Sequence, residues 1–269
     1  MAIAKHIGFD STGREDSNDL DDILLDWRNY LSDNVSGFKK SFLVEVKKLT
    51  SNFSPEKHID YFKNDSNWRV KKLEEITKAI FTGKTPTRST YTTTGYKIIK
   101  VRDLSGKGID WDNEERGFVS PEFFRKNKGL QLKVNDILII SAAHHPKYIG
   151  QKVDIIDYIP ERFKEGIICS AEILVIRVNE KIIDPYYVLL YLRSENGYKA
   201  IQSCIRGQTA HIYPKDIKEI KIPIPPQEKF DKMKPLIEKL KQTLKIKTTA
   251  NEEHRKIVNE LMVNFKEDE

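Results

Sequence analysis

The sequence predicts an α+β protein: a twisted, mostly antiparallel sheet domain with a few helices, followed by a long coiled-coil-type helical arm. Three observations carry this. Short β-branched or alternating runs such as Tyr96-Lys97-Ile98-Ile99-Lys100-Val101 and Glu172-Ile173-Leu174-Val175-Ile176-Arg177 recur through the middle of the chain, separated by turn signals, as strands joined by loops require. Few helical patterns interrupt them. After Pro226, Phe230, Ile237, Leu244, Asn251, Val258 and Phe265 recur every seven residues, with Met233, Leu240, Lys247, His254 and Leu261 on a second track. A 3,4 spacing kept over about five heptads gives a long helix with one narrow seam.

Taken in order, residues 1–67 form a first segment. Ile3, Ile7 and Phe9 lead into a polar turn from Asp10 to Asp19, and Asn18 or Asp19 caps a helix with Leu20, Ile23, Leu24, Trp27, Tyr30 and Leu31 on one face. Asp19, Asp21 and Asp22 suit a helix N-terminus and need no metal. Ser41 to Val46 reads as a strand, followed by a loop around Ser54 and Pro55.

Residues 68–226 form the main domain. Trp68 and Leu73 precede a turn from Thr82 to Pro86; strands follow at Tyr96 to Val101, Asp136 to Ser141 and Ala171 to Val178, and the domain closes with Ile222 to Pro226. Asp184 and Pro185 are placed as N-cap and first residue of a helix through Leu192. Residues 227–269 are the arm. At ~1.5 Å per residue its five heptads would run roughly 50 Å, too long for a small domain to cover, so its seam should meet a partner helix; the alternative is an amphipathic helix folded back on its own domain. Lys247, Asn251 and His254 weaken the seam while restricting register, and Pro235 should kink or restart the helix.

Composition narrows the function classes. With 39% hydrophobic and 10% aromatic residues the chain can bury a core. No apolar run reaches the ~18 residues a bilayer span needs, and the start lacks a signal-peptide pattern, so a cytoplasmic protein is expected. Cys169 and Cys204 lack metal-ligand spacing and sit in apolar surroundings, as buried free thiols do. Residues 1–67 carry nine Lys/Arg against twelve Asp/Glu, so the net charge of +6 comes from the rest of the chain. A basic excess of this kind suits nucleic-acid phosphates, or is a solvated lysine surface.

Two enzymatic readings are weak. Asp184-Pro185-Tyr186-Tyr187 is the nearest approach to the Asn/Asp-Pro-Pro-aromatic motif that holds a flipped adenine, but it lacks the second proline. No glycine-rich turn after an early strand is present to hold S-adenosylmethionine. Glu219-Ile220-Lys221 resembles the end of a magnesium nuclease motif, with Asp216 nearby in a polar turn as the upstream carboxylate.

Base-edge reading needs short donor and acceptor groups on loops held by a rigid sheet. Three loops offer them. Gly83 to Thr94 carries Lys84, Thr85, Arg88 and a run of threonines around Tyr91; Ala142 to Gly150 carries His144, His145, Lys147 and Tyr148; Arg206 to His211 carries Arg206, Gln208, Thr209 and His211. Arg102, after the Tyr96 strand, is a further candidate. His144 and His145 are adjacent, which on a strand turns them to opposite sides, so base or phosphate contact is favoured over a metal. The plain alternatives are turn-building glycines and threonines that satisfy one another.

These stretches resemble a known family. The run MAIAKHIGFDSTGREDSNDLDDILL resembles the tail that follows the catalytic core of type I and fused N6-adenine DNA methyltransferases. WRVKKLEEITKAIFTGKTP, YKIIKVRDL, LKVNDILI with a later IG, DPYYVLLYLRSE, RGQT and IPIPPQEK, in this order, resemble one target recognition domain and its following helix from the specificity subunit of type I restriction-modification systems. About 200 residues are covered. The resemblance implies a noncatalytic reader of double-stranded DNA, with an N6-adenine methyltransferase subunit and a motor endonuclease subunit as partners. S-adenosylmethionine would bind the methyltransferase partner, and this chain would need no cofactor. Family subunits commonly hold two such domains and helices; one of each implies a half-subunit dimerising through Phe230, Met233, Ile237, Leu240, Leu244, Asn251, Val258, Leu261 and Phe265, or the end of a fused methyltransferase. A coiled-coil scaffold is a further alternative.

Overall fold

The computed structural model describes residues 7–9, 15–32, 68–113, 117–206 and 210–267. The chain divides into two compact units, Met1–Asp60 and Tyr61–Glu269.

In the first unit β1 (Ile7–Phe9) pairs antiparallel with β2 (Glu15–Asn18), and α1 (Leu20–Leu31) follows. Asp19 occupies the N-cap but makes no capping hydrogen bond, and Asp21 and Asp22 lie in the first turn, where they meet the positive end of the helix dipole. Leu20, Leu24, Trp27 and Leu31 recur at 4,3,4 spacing and are all exposed. The strand expected at Ser41 to Val46 lies outside the described residues.

The second unit is built on a four-stranded antiparallel sheet in the order β10 (Val153–Ile155), β8 (Asp136–Ile140), β12 (Ile173–Val178), β4 (Thr77–Thr82). Strand β8 reads Asp-Ile-Leu-Ile-Ile and every residue is buried. That continuous apolar run, without alternation, belongs to a central strand covered on both faces; α3 (Pro185–Arg193) packs on β8 and β10 from one side. Opposite one another in the β8–β12 register, Asp136 and Arg177 form a two-point ion pair with bonds of 2.8 and 2.7 Å, which raises the arginine pKa further.

A second sheet is mixed. It runs β11 (Ile167–Cys169), β6 (Tyr96–Ile99), β7 (Phe118–Val119), β5 (Tyr91–Thr92), with β11 parallel to β6 and the other pairs antiparallel. Lys97, alternating on β6, is wholly buried: its Nζ donates to the Asn113 carbonyl at 2.5 Å and lies over the rings of Phe118 and Phe163. The short α2 (Pro121–Lys126) places Phe124 3.9 Å from Tyr96, ring stacked on ring.

Two ribbons complete the unit: β3 (Arg69–Lys72) with β14 (Lys221–Ile224), and β9 (Ala142–Ala143) with β13 (Ala210–His211). Both short helices after α3 have local causes. Ser194 caps α4 (Glu195–Gln202) by accepting from Gly197 N, and Pro214 opens α5 (Pro214–Ile217). Asp184 caps α3 through a 2.8 Å bond from Tyr186 N, as its Asp-Pro sequence predicts.

The last helix corrects the sequence reading. α6 (Gln227–Glu267) is continuous through Pro235, so the expected restart does not occur. Its first half lies on its own domain. Ile237 and Leu244 join the core, with Phe230, Met233 and Leu240 packed against it, so these five do not form a free seam for a partner. The packing continues in polar form: Lys241 pairs with Asp184 at 2.7 Å, Thr248 donates to Asp157 at 2.9 Å, and Glu252 pairs with Arg162. Arg255 reaches Asp112 at 3.5 Å. A long helix is covered here because loops at the ends of both sheets extend the surface beneath it. Asn251 is exposed, as are Ile257, Val258, Leu261 and Met262; the side chain of Phe265 lies outside the described residues.

Candidate nucleic-acid interface

Strand polarity decides where the loops go. β4 and β8 run against β12, so the C-terminal ends of β4 and β8 share an edge with the N-terminal end of β12. Parallel pairing of β11 and β6 brings their C-terminal ends to the same place, where Ser170 N donates to Ile99 O at 2.9 Å. The segments that follow β4, β6 and β8 and the turn 170–172 before β12 therefore start from one edge, and the ribbon of β9 and β13 adds Arg206 and residues 210–213.

The first loop is bound to this edge by its backbone. Gly83 N donates to Ile173 O at 3.1 Å and Lys84 N to Cys169 O at 2.9 Å. A Cβ on Gly83 would stand 2.1 Å from Cys169 O and 2.4 Å from Ser170 O, so only glycine allows the approach. Thr85 Oγ1 accepts from Ala171 N at 3.3 Å and donates to Glu172 at 3.4 Å. Two of the threonines satisfy their own loop, Thr90 donating to Thr87 O and Thr92 to Thr94 O. Lys84 and Arg88 remain exposed, and Lys100 lies 4.3 Å over the ring of Tyr91.

Arg102 stands on the turn after β6, 3.9 Å from the buried Asp103 carboxylate. Burial pushes that carboxyl above its usual pKa, partly offset by the bond it accepts from Lys100 N.

In the second loop His144, His145, Lys147 and Tyr148 are all exposed. His145 turns its Nδ1 inward to accept from Lys147 N at 3.1 Å, and the Lys147 ammonium lies 5.1 Å over the Tyr148 ring. Helix α4 supports this loop: Tyr198 donates its hydroxyl to Lys147 O at 3.0 Å, and Gln202 Nε2 donates to Pro146 O at 3.0 Å and Ile149 O at 2.5 Å. The third loop is closed by backbone bonds between Arg206 and His211, with Arg206 N donating at 2.9 Å. His211 stacks on Tyr213 at 6.3 Å. Like Arg102, Arg206 is paired with a buried carboxylate, that of Asp216. Gln208 and Thr209 lie outside the described residues.

Thus Lys84, Thr85, Arg88, Arg102, His144, His145, Lys147, Tyr148, Arg206 and His211 are brought to one edge of the unit. Sequence reasoning missed Glu172, Lys100 and the supporting pair Tyr198 and Gln202. No local signal marks these four, because each acquires its place from strand order or from a neighbouring helix. The residues of the weak nuclease motif have other partners: Glu219 pairs with Lys72 at 2.7 Å and Asp216 with Arg206.

Helix α6 runs mainly along the other end of these strands, and its Lys247 also reaches the segment after β6, donating to Lys107 O at 3.0 Å. Its contacts Asp184, Asp157 and Arg162 follow the C-terminal ends of β12 and β10 and precede the N-terminal end of β11. Beside it a cleft of about 530 Å³ is lined by residues including Asp157, Asp184, Tyr186, Lys241 and Lys245. Among the described residues no helix is long and apolar enough to cross a membrane.

A family model described as the type I restriction modification DNA specificity domain matches residues 65–254. A protein from Methanocaldococcus jannaschii, provisionally named type I restriction enzyme MjaX specificity subunit, is 30% identical over 165 residues, covering 60% of this chain and 36% of its own length. A solved structure concerned with complex assembly and conformational transition of the type I R-M system aligns at 18% identity and a TM-score of 0.46, covering 72% of this chain and 43% of that one. The HsdS subunit from Thermoanaerobacter tengcongensis aligns at 17% identity and a TM-score of 0.42, covering 68% and 39%. The chain spans less than half the length of each of these relatives.

Proposed function

Because the chain belongs to the type I restriction modification DNA specificity domain family, we propose that it is a noncatalytic reader of duplex DNA sequence that uses the loop edge of its second unit. The observation that carries this is the convergence of three separate loops and the turn after β6 on one sheet edge, bringing Lys84, Arg88, Arg102, Lys147 and three histidines onto a rigid support. Lysines and arginines there would hold phosphates, giving salt-sensitive affinity, while short polar groups on the loops would meet base edges.

In a complete system the chain would position an N6-adenine methyltransferase subunit, which would carry S-adenosylmethionine, and a motor endonuclease subunit. Self-association would use the exposed end of α6, where Ile257, Val258, Leu261 and Met262 are open, and would set the spacing between two recognised half-sites. The test is selection from a random duplex library by the purified chain at two salt concentrations. A short enriched motif, doubled and inverted at fixed spacing, is the expected result; absence of binding at low salt would overturn the reading.

A further inference from the structure

Glu172 is the one Asp or Glu in residues 83–95, 141–152, 170–172 and 203–213, the three loops and the turn that joins β11 to β12. It sits between two of those loops. Its carbonyl accepts from Ser141 N at 2.8 Å, its neighbour Ala171 donates to Thr85 Oγ1 at 3.3 Å, and its carboxylate oxygens both lie 3.4 Å from that hydroxyl. One hydroxyl carries one hydrogen, so at least one carboxylate oxygen keeps its acceptor capacity. Among the described residues no lysine or arginine pairs with it. Asp103 and Asp216 are instead buried beside Arg102 and Arg206. Glu172 is half-buried and so retains access to solvent.

A carboxylate on a phosphate-binding edge works against affinity, since it repels the backbone that the surrounding cations attract. Its chemistry suits a different target. An ionised carboxylate only accepts hydrogen bonds. In the major groove adenine places its N7 acceptor beside its amino group and guanine offers acceptors alone, whereas cytosine presents only its N4 amino donor. We propose that Glu172 is a specificity-determining residue that accepts from the N4 amino group of a cytosine in the recognised duplex. This rests on the reading of the loop edge as a DNA-reading surface.

The experiment is library selection with the full chain and with Glu172→Gln and Glu172→Ala, followed by binding to duplexes varied at each position of the wild-type motif. The wild type is expected to require a cytosine at one position, with discrimination of about tenfold or more. Glu172→Ala should reduce that discrimination to near onefold while leaving the other positions intact. Glu172→Gln should move the preference toward adenine, whose N6 and N7 pair with an amide. If Glu172 merely anchors Thr85, glutamine retains the acceptor and Glu172→Gln selects the wild-type motif, which overturns the proposal. A preference lost only at positions other than a cytosine also overturns it. A wild-type motif unchanged in both variants defeats this inference alone, whereas a wild-type chain that enriches no motif defeats the DNA-reading function and this inference with it.

Discussion

Thr248, midway along α6, donates a 2.9 Å hydrogen bond to Asp157 at the end of the sheet opposite the loops. Burial pushes the Asp157 carboxyl above its ordinary pKa, and the Thr248 bond opposes that shift. A carboxyl whose folded pKa is raised binds its proton more tightly when folded, so its contribution to stability is full below the unfolded value of about 3.8 and falls as pH rises through the folded value. Asp157→Asn keeps an acceptor for Thr248 and removes the buried charge. Thermal melts should therefore show a smaller decline between acid and neutral pH than the wild type. Thr248→Val, which removes the bond, should cost ~1–2 kcal/mol at pH 7.

The two halves of α6 should respond differently to truncation. Ile237 is 1% exposed and belongs to the core, whereas Leu261 is 51% exposed. Ile237→Ala should lower stability by ~2–5 kcal/mol and Leu261→Ala by less than about 0.5 kcal/mol. Urea denaturation measures both. If the exposed end holds two copies together, Ile257→Lys with Leu261→Lys should halve the mass seen by sedimentation without lowering the monomer's stability.

Arg206 carries a structural duty that the exposed loop lysines lack. Removing its guanidinium takes a charge partner from the buried Asp216, so Arg206→Ala should cost ~1–3 kcal/mol. Lys84→Ala should change stability by less than about 0.5 kcal/mol and act on DNA affinity and its salt dependence. Comparing melts with binding isotherms for the two variants separates the roles.

Gln202 holds the second loop by two carbonyls, those of Pro146 and Ile149. Gln202→Ala should cost ~1 kcal/mol globally and increase amide exchange around Tyr148 to Gly150 beyond that expected from the global loss. Unchanged local exchange would mean that the loop is held by its other contacts.

Much of the site was legible in outline. Gly83 and Pro86, the histidine pair before Pro146, and the Arg206 turn announce loops through short-range backbone chemistry, and Asp184 before Pro185 announces a helix start; all appear where expected. Their meeting at one edge was not legible. It depends on β4 and β8 opposing β12, and on β11 lying parallel to β6 across about seventy residues of chain. Lys97 was hidden for the same reason: strand alternation cannot say that an outward face will be roofed by Phe118 and Phe163.

By itself the sequence determined the main strands, the helix start at Asp184, the apolar stripe of the final helix and the family resemblance, because periodicity and capping act within a few residues of one another. Only the tertiary structure decided which surfaces those elements meet. The heptad seam of α6 specified an apolar stripe but not its partner, since burying Ile237 and Leu244 removes the same surface from water against a domain as against a second helix. The hydrophobic effect carries no direction. Strand order and the polar contacts at Asp184, Asp157 and Arg162 supplied the direction here.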